Sequence, residues 1–149
     1  MNPLEIYIRK AHLGDLDNIK ALADDNKDAL GFILRPALQT AIERRWVLVA
    51  EDARQKLIGF VHYRHRHDFQ TTLYDICVVQ SWRGNGVGQL LIETLSAEAA
   101  ASDMKVIRLK APVDLKANSF YQKLGFSFTG VESGKRRYLN LWQIHLSGK

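Results

Sequence analysis

"VVQSWRGNGVGQLL", residues 78–91, holds three glycines within five positions, Gly84, Gly86 and Gly88. Glycine weakens regular structure and is found where backbone turns sharply or comes close to another group. The apolar run Ile76-Cys77-Val78-Val79 leading into it reads as a buried strand. Val87, Leu90, Leu91 and Leu95 then follow the i, i+3, i+4, i+8 spacing of one helix face. The glycines therefore sit in a strand-to-helix turn. The first N–H groups of such a helix lack carbonyl partners, so the turn is a candidate anion site.

The pattern on either side extends this alternation of strands and helices. Leu4 to Arg9 reads as a first strand, and Leu16, Ile19 and Ala23 follow a helical period. A second helix is expected from Ala29 to Arg45, broken or kinked near Pro36. Trp46–Ala50 and Leu57–Arg66 read as a hairpin, and Thr71–Val79 as the strand before the glycine turn. The helix from Val87 runs to about Ala101. Val106–Lys110 is then a strand, Ala117–Leu124 a short helix, and Phe126–Val131 and Arg137–Leu146 two closing strands. The order predicts an α/β class, more closely an α+β mixed sheet with helices on its faces.

A length of 149 residues fits one domain over 1–149, large enough to bury a core without staples. Hydrophobic and charged fractions of 46% and 25% are ordinary for a soluble globular chain. A single cysteine excludes an intramolecular disulfide and fits a reducing cytosol, so a cytoplasmic location is expected. The opening MNPLEIYIRK lacks a signal-peptide pattern, and no apolar run reaches membrane-spanning length, so no membrane partner is expected. The net charge of +5 suits an anionic small ligand. Lys135-Arg136-Arg137 and Arg64 with Arg66 fall in different hairpins with no recognition motif, so nucleic acid is not an expected partner.

Three phosphate loops are candidates for the glycine turn. A Walker loop needs Gly-Lys-Ser/Thr where this chain has Gly88-Gln89-Leu90. A Rossmann fingerprint counted from Gly84 would place Gln89 at its last glycine. A turn that only lets helix pack closely on strand is the bland alternative. The third candidate takes Arg83-Gly84-Asn85-Gly86-Val87-Gly88 as Gln/Arg-x-x-Gly-x-Gly/Ala. A second patch, Ala117-Asn118-Ser119-Phe120-Tyr121-Gln122-Lys123-Leu124-Gly125-Phe126, follows A-x-x-F-Y-x-x-x-G-F. In both motifs, and in their order, the chain resembles the GNAT family of N-acetyltransferases. Gln80 stands where a proline is common in that family.

The resemblance implies about seven mostly antiparallel strands, a central parallel splayed pair and about four flanking helices. It also implies acetyl-CoA as co-substrate and no metal. The coenzyme's pyrophosphate would lie over Arg83, Gly84, Asn85, Gly86, Val87, Gly88 and Gln89. Its pantetheine would pair with the backbone of Ile76, Cys77 and Val78, and an N–H near Val78 would polarise the acetyl oxygen. Tyr121 matches the tyrosine that protonates the leaving thiolate, and Asn118 is a candidate for the pantetheine amide. A core aromatic and a helix-start residue are their bland alternatives.

The general base stays open among Tyr74, Asp75, His62 and His65, with loss of the amine proton to water as another route. Tyr74 is taken with Tyr121 as a catalytic candidate. "HYRHRH", residues 62–67, has histidines at spacings that face opposite ways on a strand, with no Cys or carboxylate set beside them, so zinc is rejected. A polar edge is the reading kept for it. Cys77 reads as a buried strand thiol.

The implied reaction is direct attack of a primary amine on acetyl-CoA in a ternary complex. A non-catalytic acyl-CoA-binding module of the same fold is the alternative. The acceptor is a small-molecule or protein amine. Apolar residues on both faces of 138–146 raise a homodimer as one way to cover that strand.

Overall fold

The computed structural model describes residues 5–146. The elements are β1 (Tyr7–Lys10), α1 (Leu16–Asp25), α2 (Lys27–Leu30), α3 (Arg35–Glu43), β2 (Val47–Glu51), β3 (Leu57–His65) and β4 (Gln70–Val78). They continue as α4 (Val87–Ala101), β5 (Val106–Pro112), α5 (Ala117–Lys123), β6 (Ser127–Ser133) and β7 (Tyr138–His145). Seven strands form one mixed sheet in the order β1-β2-β3-β4-β5-β7-β6. Among the described residues, β4 and β5 pair in parallel, with a register that runs from Gln70↔Val106 to Thr72↔Arg108. Among the described residues, five α-helices accompany the sheet.

The helix expected over 29–45 is two helices. Gly31, at φ 77°, ends α2, and α3 starts with Pro36 inside its first turn. Proline is tolerated there because the first helical N–H groups have no partner to lose. The break expected near Pro36 thus falls at residues 31–34, and the proline lies in the first turn of the helix that follows. The first strand covers Tyr7–Lys10; residue 4 of the strand expected from Leu4 lies outside the described residues.

The chain clusters into two compact units, residues 1–63 with 75–95, and residues 64–74 with 96–149. In the first unit α1 and α3 turn Leu16, Ile19, Leu22, Leu38 and Ile42 onto Val47, Val49, Phe60 and Cys77. The α1 residues recur at helical spacing, and the β2 residues alternate, so each element offers one apolar face to this core. Arg9 of β1 locks the edge: its guanidinium donates to both Asp15 carboxylate oxygens at 2.7 and 2.9 Å and to Glu51 at 2.9 Å.

In the second unit β7 lies between β5 and β6, antiparallel to both. An interior position is a physical account of the apolar residues along it, since both its edges are paired. Trp142 on β7 is buried, and its ring meets Phe128 edge-on at 5.7 Å.

Candidate functional site

The glycine turn belongs to the first unit. After β4 the chain makes a short 3₁₀ turn, Gln80–Trp82, and enters α4 through Arg83–Gly86. Gly84 and Gly86 have φ of 83° and 82°, in the left-handed region that disfavours a β-carbon. A β-carbon built on either meets nothing within 4 Å, so the demand for glycine is conformational and the space above the turn is open. The first helical bond is from Leu90 N–H to Gly86 O at 3.0 Å. The N–H groups of Val87, Gly88 and Gln89 thus lie ahead of the intrahelical ladder. No acidic residue stands in the first turn of α4 to compete for them. A helix start with donors ahead of the ladder, open space at Gly84 and Gly86 and no carboxylate in its first turn fits a pyrophosphate.

The side chains named for this turn are engaged within it. Arg83 Nε donates to Val78 O at 3.1 Å, and its Nη2 donates to Asn26 Oδ1 at 2.8 Å. The guanidinium therefore ties the turn to the end of β4 and to the residue that closes α1. Asn85 Nδ2 donates to Trp82 O at 3.2 Å, and Gln89 Nε2 to Glu93 Oε1 at 3.3 Å. These bonds hold the shape of the turn.

Ile76, Cys77 and Val78 are all buried. Among the described residues, no pair of the β4–β5 register lies beyond Thr72. Burial pushes the Cys77 thiol up to about 11, against the pull of the nearby Arg83 guanidinium. A thiol so held is protonated at neutral pH and is not a nucleophile.

The candidate bases are divided between the units. In the first, His62 Nδ1 lies 3.3 Å from Asp75 Oδ2, so two candidates named separately form one pair. In the second, His65 Nδ1 lies 2.8 Å from Thr71 Oγ1 and its Nε2 3.1 Å from Glu98 Oε2. His62 and His65 thus sit half-buried on an interior strand, with carboxylate partners, where a polar edge was expected. Tyr74, also of the second unit, is exposed, and its hydroxyl accepts from Arg66 Nη2 at 2.7 Å.

Tyr121 sits half-buried on α5, with ring centroids 6.1 Å from Phe120, 6.2 Å from Phe126 and 6.3 Å from Trp142. Asn118, one turn earlier, donates through Nδ2 to Pro112 O and Leu115 O, each at 2.8 Å. Its Oδ1 accepts from the Trp142 indole at 2.8 Å. A carboxamide has two N–H bonds and two lone pairs, so one lone pair remains for any further partner. The sequence signal for Asn118 gave no hint of this role, because Trp142 lies 24 residues on.

A family model described as "Acetyltransferase (GNAT) domain" matches residues 43–128. The chain is 29% identical over 105 residues to "Uncharacterized N-acetyltransferase ycf52" of Pyropia yezoensis, a match covering 66% of this chain and 59% of that protein. It thus spans somewhat over half the length of that relative. Among solved structures, Ard1 from Thermoplasma volcanium superposes with a TM-score of 0.81 at 17% identity, over 95% of this chain and 97% of the other. The putative acetyltransferase yncA from Salmonella typhimurium, solved with acetyl-CoA, gives 0.75 at 20% identity, over 97% and 96%. With the matched model spanning more than half of its residues, both motifs inside that span and the seven-stranded sheet in place, the chain belongs to the GNAT acetyltransferase domain family.

Proposed function

We propose that this chain transfers the acetyl group of acetyl-CoA to a primary amine, by direct attack of the amine nitrogen on the thioester carbonyl. The observation that carries the reading is the left-handed pair Gly84 and Gly86 at the start of α4. The solved relative holding acetyl-CoA supports the choice of co-substrate.

In this reading the Val87, Gly88 and Gln89 N–H groups hold pyrophosphate oxygens, and Arg83 keeps the turn in shape through Val78 O and Asn26. The backbone of Ile76, Cys77 and Val78 pairs with the pantetheine, and an N–H near Val78 polarises the acetyl oxygen. A C–N bond forms as the C–S bond breaks, the amine nitrogen loses a proton to water, Tyr121 gives its hydroxyl proton to the departing thiolate, and solvent returns a proton to Tyr121. A phenol of pKa about 10 can serve a thiol of about 8.5 only when well placed. Phe120, Phe126 and Trp142 pack around the Tyr121 ring and limit its movement. Asn118 acts here by fixing α5, and Tyr74 is the second catalytic candidate, at the amine. The whole chain works as one domain.

The test is an acetyl-CoA turnover screen against small amines, amino acids and peptides, reading free thiol and the mass of the product. A stoichiometric acetylated amine is the expected result. Tight acetyl-CoA binding with no thiol released by any amine would favour the non-catalytic binding module instead.

A further inference from the structure

The second unit carries an open depression of about 920 Å³ on its part of the sheet, within the size range of small-ligand sites. Arg66, Thr72, Tyr74, Arg108 and Lys110 line it. Its cations differ in how they are matched. Lys110 is paired with Glu132 at 2.7 Å. Arg66 donates through Nε to Thr72 Oγ1 at 2.8 Å and through Nη2 to Tyr74 Oη at 2.7 Å. Arg108 donates through Nη1 to Gln70 Oε1 at 3.3 Å. The remaining lining carboxylate, Asp68, is held by the Gln70 amide.

Arg66 and Arg108 therefore have only neutral side-chain partners among the described residues. They are linked through Thr72, which holds Arg66 and is the register partner of Arg108. A guanidinium has five N–H donors, so three remain on Arg66 and four on Arg108 after these bonds. Two guanidiniums held by neutral groups, with no ion pair to either among the described residues, keep donors suited to a planar anion. They would also repel a lysine-rich acceptor.

We infer that Arg66 and Arg108 bind an anionic group of the acceptor, so that the amine acetylated by this chain carries a carboxylate or phosphate. The inference rests on the acetyl-transfer reading for its account of what the ligand is. The binding of an anion at this place is independent of that reading.

The experiment uses matched acceptors with the wild-type chain: an amino acid and its carboxamide, an aminoalkyl phosphate and its amino alcohol, and an acidic and a lysine-rich peptide. The anionic member of a pair should have the higher kcat/KM, and which pair shows the largest ratio identifies the source of the anion. In Arg108→Gln that ratio should fall about tenfold or more, as expected for a lost charged hydrogen bond, chiefly through KM. Arg108→Lys, which keeps charge but not the fork, should fall between the two.

A second measurement does not need turnover. Glutarate titrated into the chain should bind, and this binding should survive Gly86→Ala and be lost in the Arg66→Gln/Arg108→Gln double variant, with thermal melts on each. Equal or better use of neutral and cationic acceptors would overturn the inference while leaving acetyl transfer intact. So would glutarate binding absent from wild type, or lost only with Gly86→Ala. Glutarate binding lost with the arginines, in a chain that neither binds acetyl-CoA nor acetylates any amine, would support the anion site and overturn the transfer reading instead.

Discussion

The indole N–H of Trp142 on β7 donates to Oδ1 of Asn118 on α5 at 2.8 Å. With the two bonds from Asn118 Nδ2 to Pro112 O and Leu115 O, this single side chain joins the end of β5, the loop after it, α5 and β7. Tyr121 lies one turn further along the same short helix. Asn118→Ala leaves two carbonyls and an indole without these partners, a cost of about 1–3 kcal/mol for each group that water does not reach. The expected outcome is a lowered melting temperature together with a slower acetyl-transfer step at saturating acetyl-CoA. Trp142→Phe, which removes only one of the three bonds, should do less of both. An Asn118→Ala chain with wild-type melting would contradict this role.

Tyr121→Phe separates chemistry from packing at the same place. The substitution keeps the ring that meets Phe126 and Trp142 and removes the hydroxyl with its proton. Single-turnover rates should fall on the order of a hundredfold, with acetyl-CoA affinity and melting temperature little changed. A variant as fast as wild type would return Tyr121 to the core.

Arg9 and Asp15 offer a test by pH. Hydrogen bonds from Arg9 hold the Asp15 carboxyl below its ordinary value of 3.8, against the opposing effect of burial and with help from the His12 N–H. A depressed folded value means stability that is fully present above the unfolded value and fades as pH falls through the folded one. Asp15→Asn should therefore cost about 1–3 kcal/mol at neutral pH. The gap in melting temperature between it and wild type should narrow toward about pH 3 and below. A gap constant with pH would show that the ion pair is not its source.

Local pattern made the glycine turn and α4 legible, because glycine spacing and a 3.6-residue period are properties of neighbouring residues. The helix begins at Val87 and ends at Ala101, as its periodicity implies. The face was read less well: Ile92 is buried and Leu90 only half-buried, since what lies against a helix decides its buried stripe. The break expected near Pro36 is present, but its place was not legible: it falls at residues 31–34, with Gly31 ending α2 and Pro36 inside the first turn of α3.

The side chains around the turn were legible as residues and not as contacts. Arg83 meets Asn26 from 57 positions away, and Thr72, which holds Arg66, is set beside Arg108 only by the parallel pairing of β4 with β5. Register of that kind is set by the whole sheet. Likewise His62 and Asp75 were separate candidates until the fold set them 3.3 Å apart.

The central claim is that backbone at Gly84–Gly88 holds the coenzyme, and calorimetry of acetyl-CoA binding tests it directly. Gly86 sits at φ 82°, where an L side chain is strained by about 1–2 kcal/mol, so Gly86→Val should relax the turn and redirect the Val87 and Gly88 N–H groups. Gly31→Ala is the control, since Gly31 has φ 77° with equally open space but stands at the end of α2. Both variants should fold with a modest loss of melting temperature. Acetyl-CoA affinity should fall at least about tenfold in Gly86→Val, the loss of one or more charged hydrogen bonds, and stay at the wild-type value in Gly31→Ala. Wild-type acetyl-CoA affinity in a folded Gly86→Val chain would contradict the account.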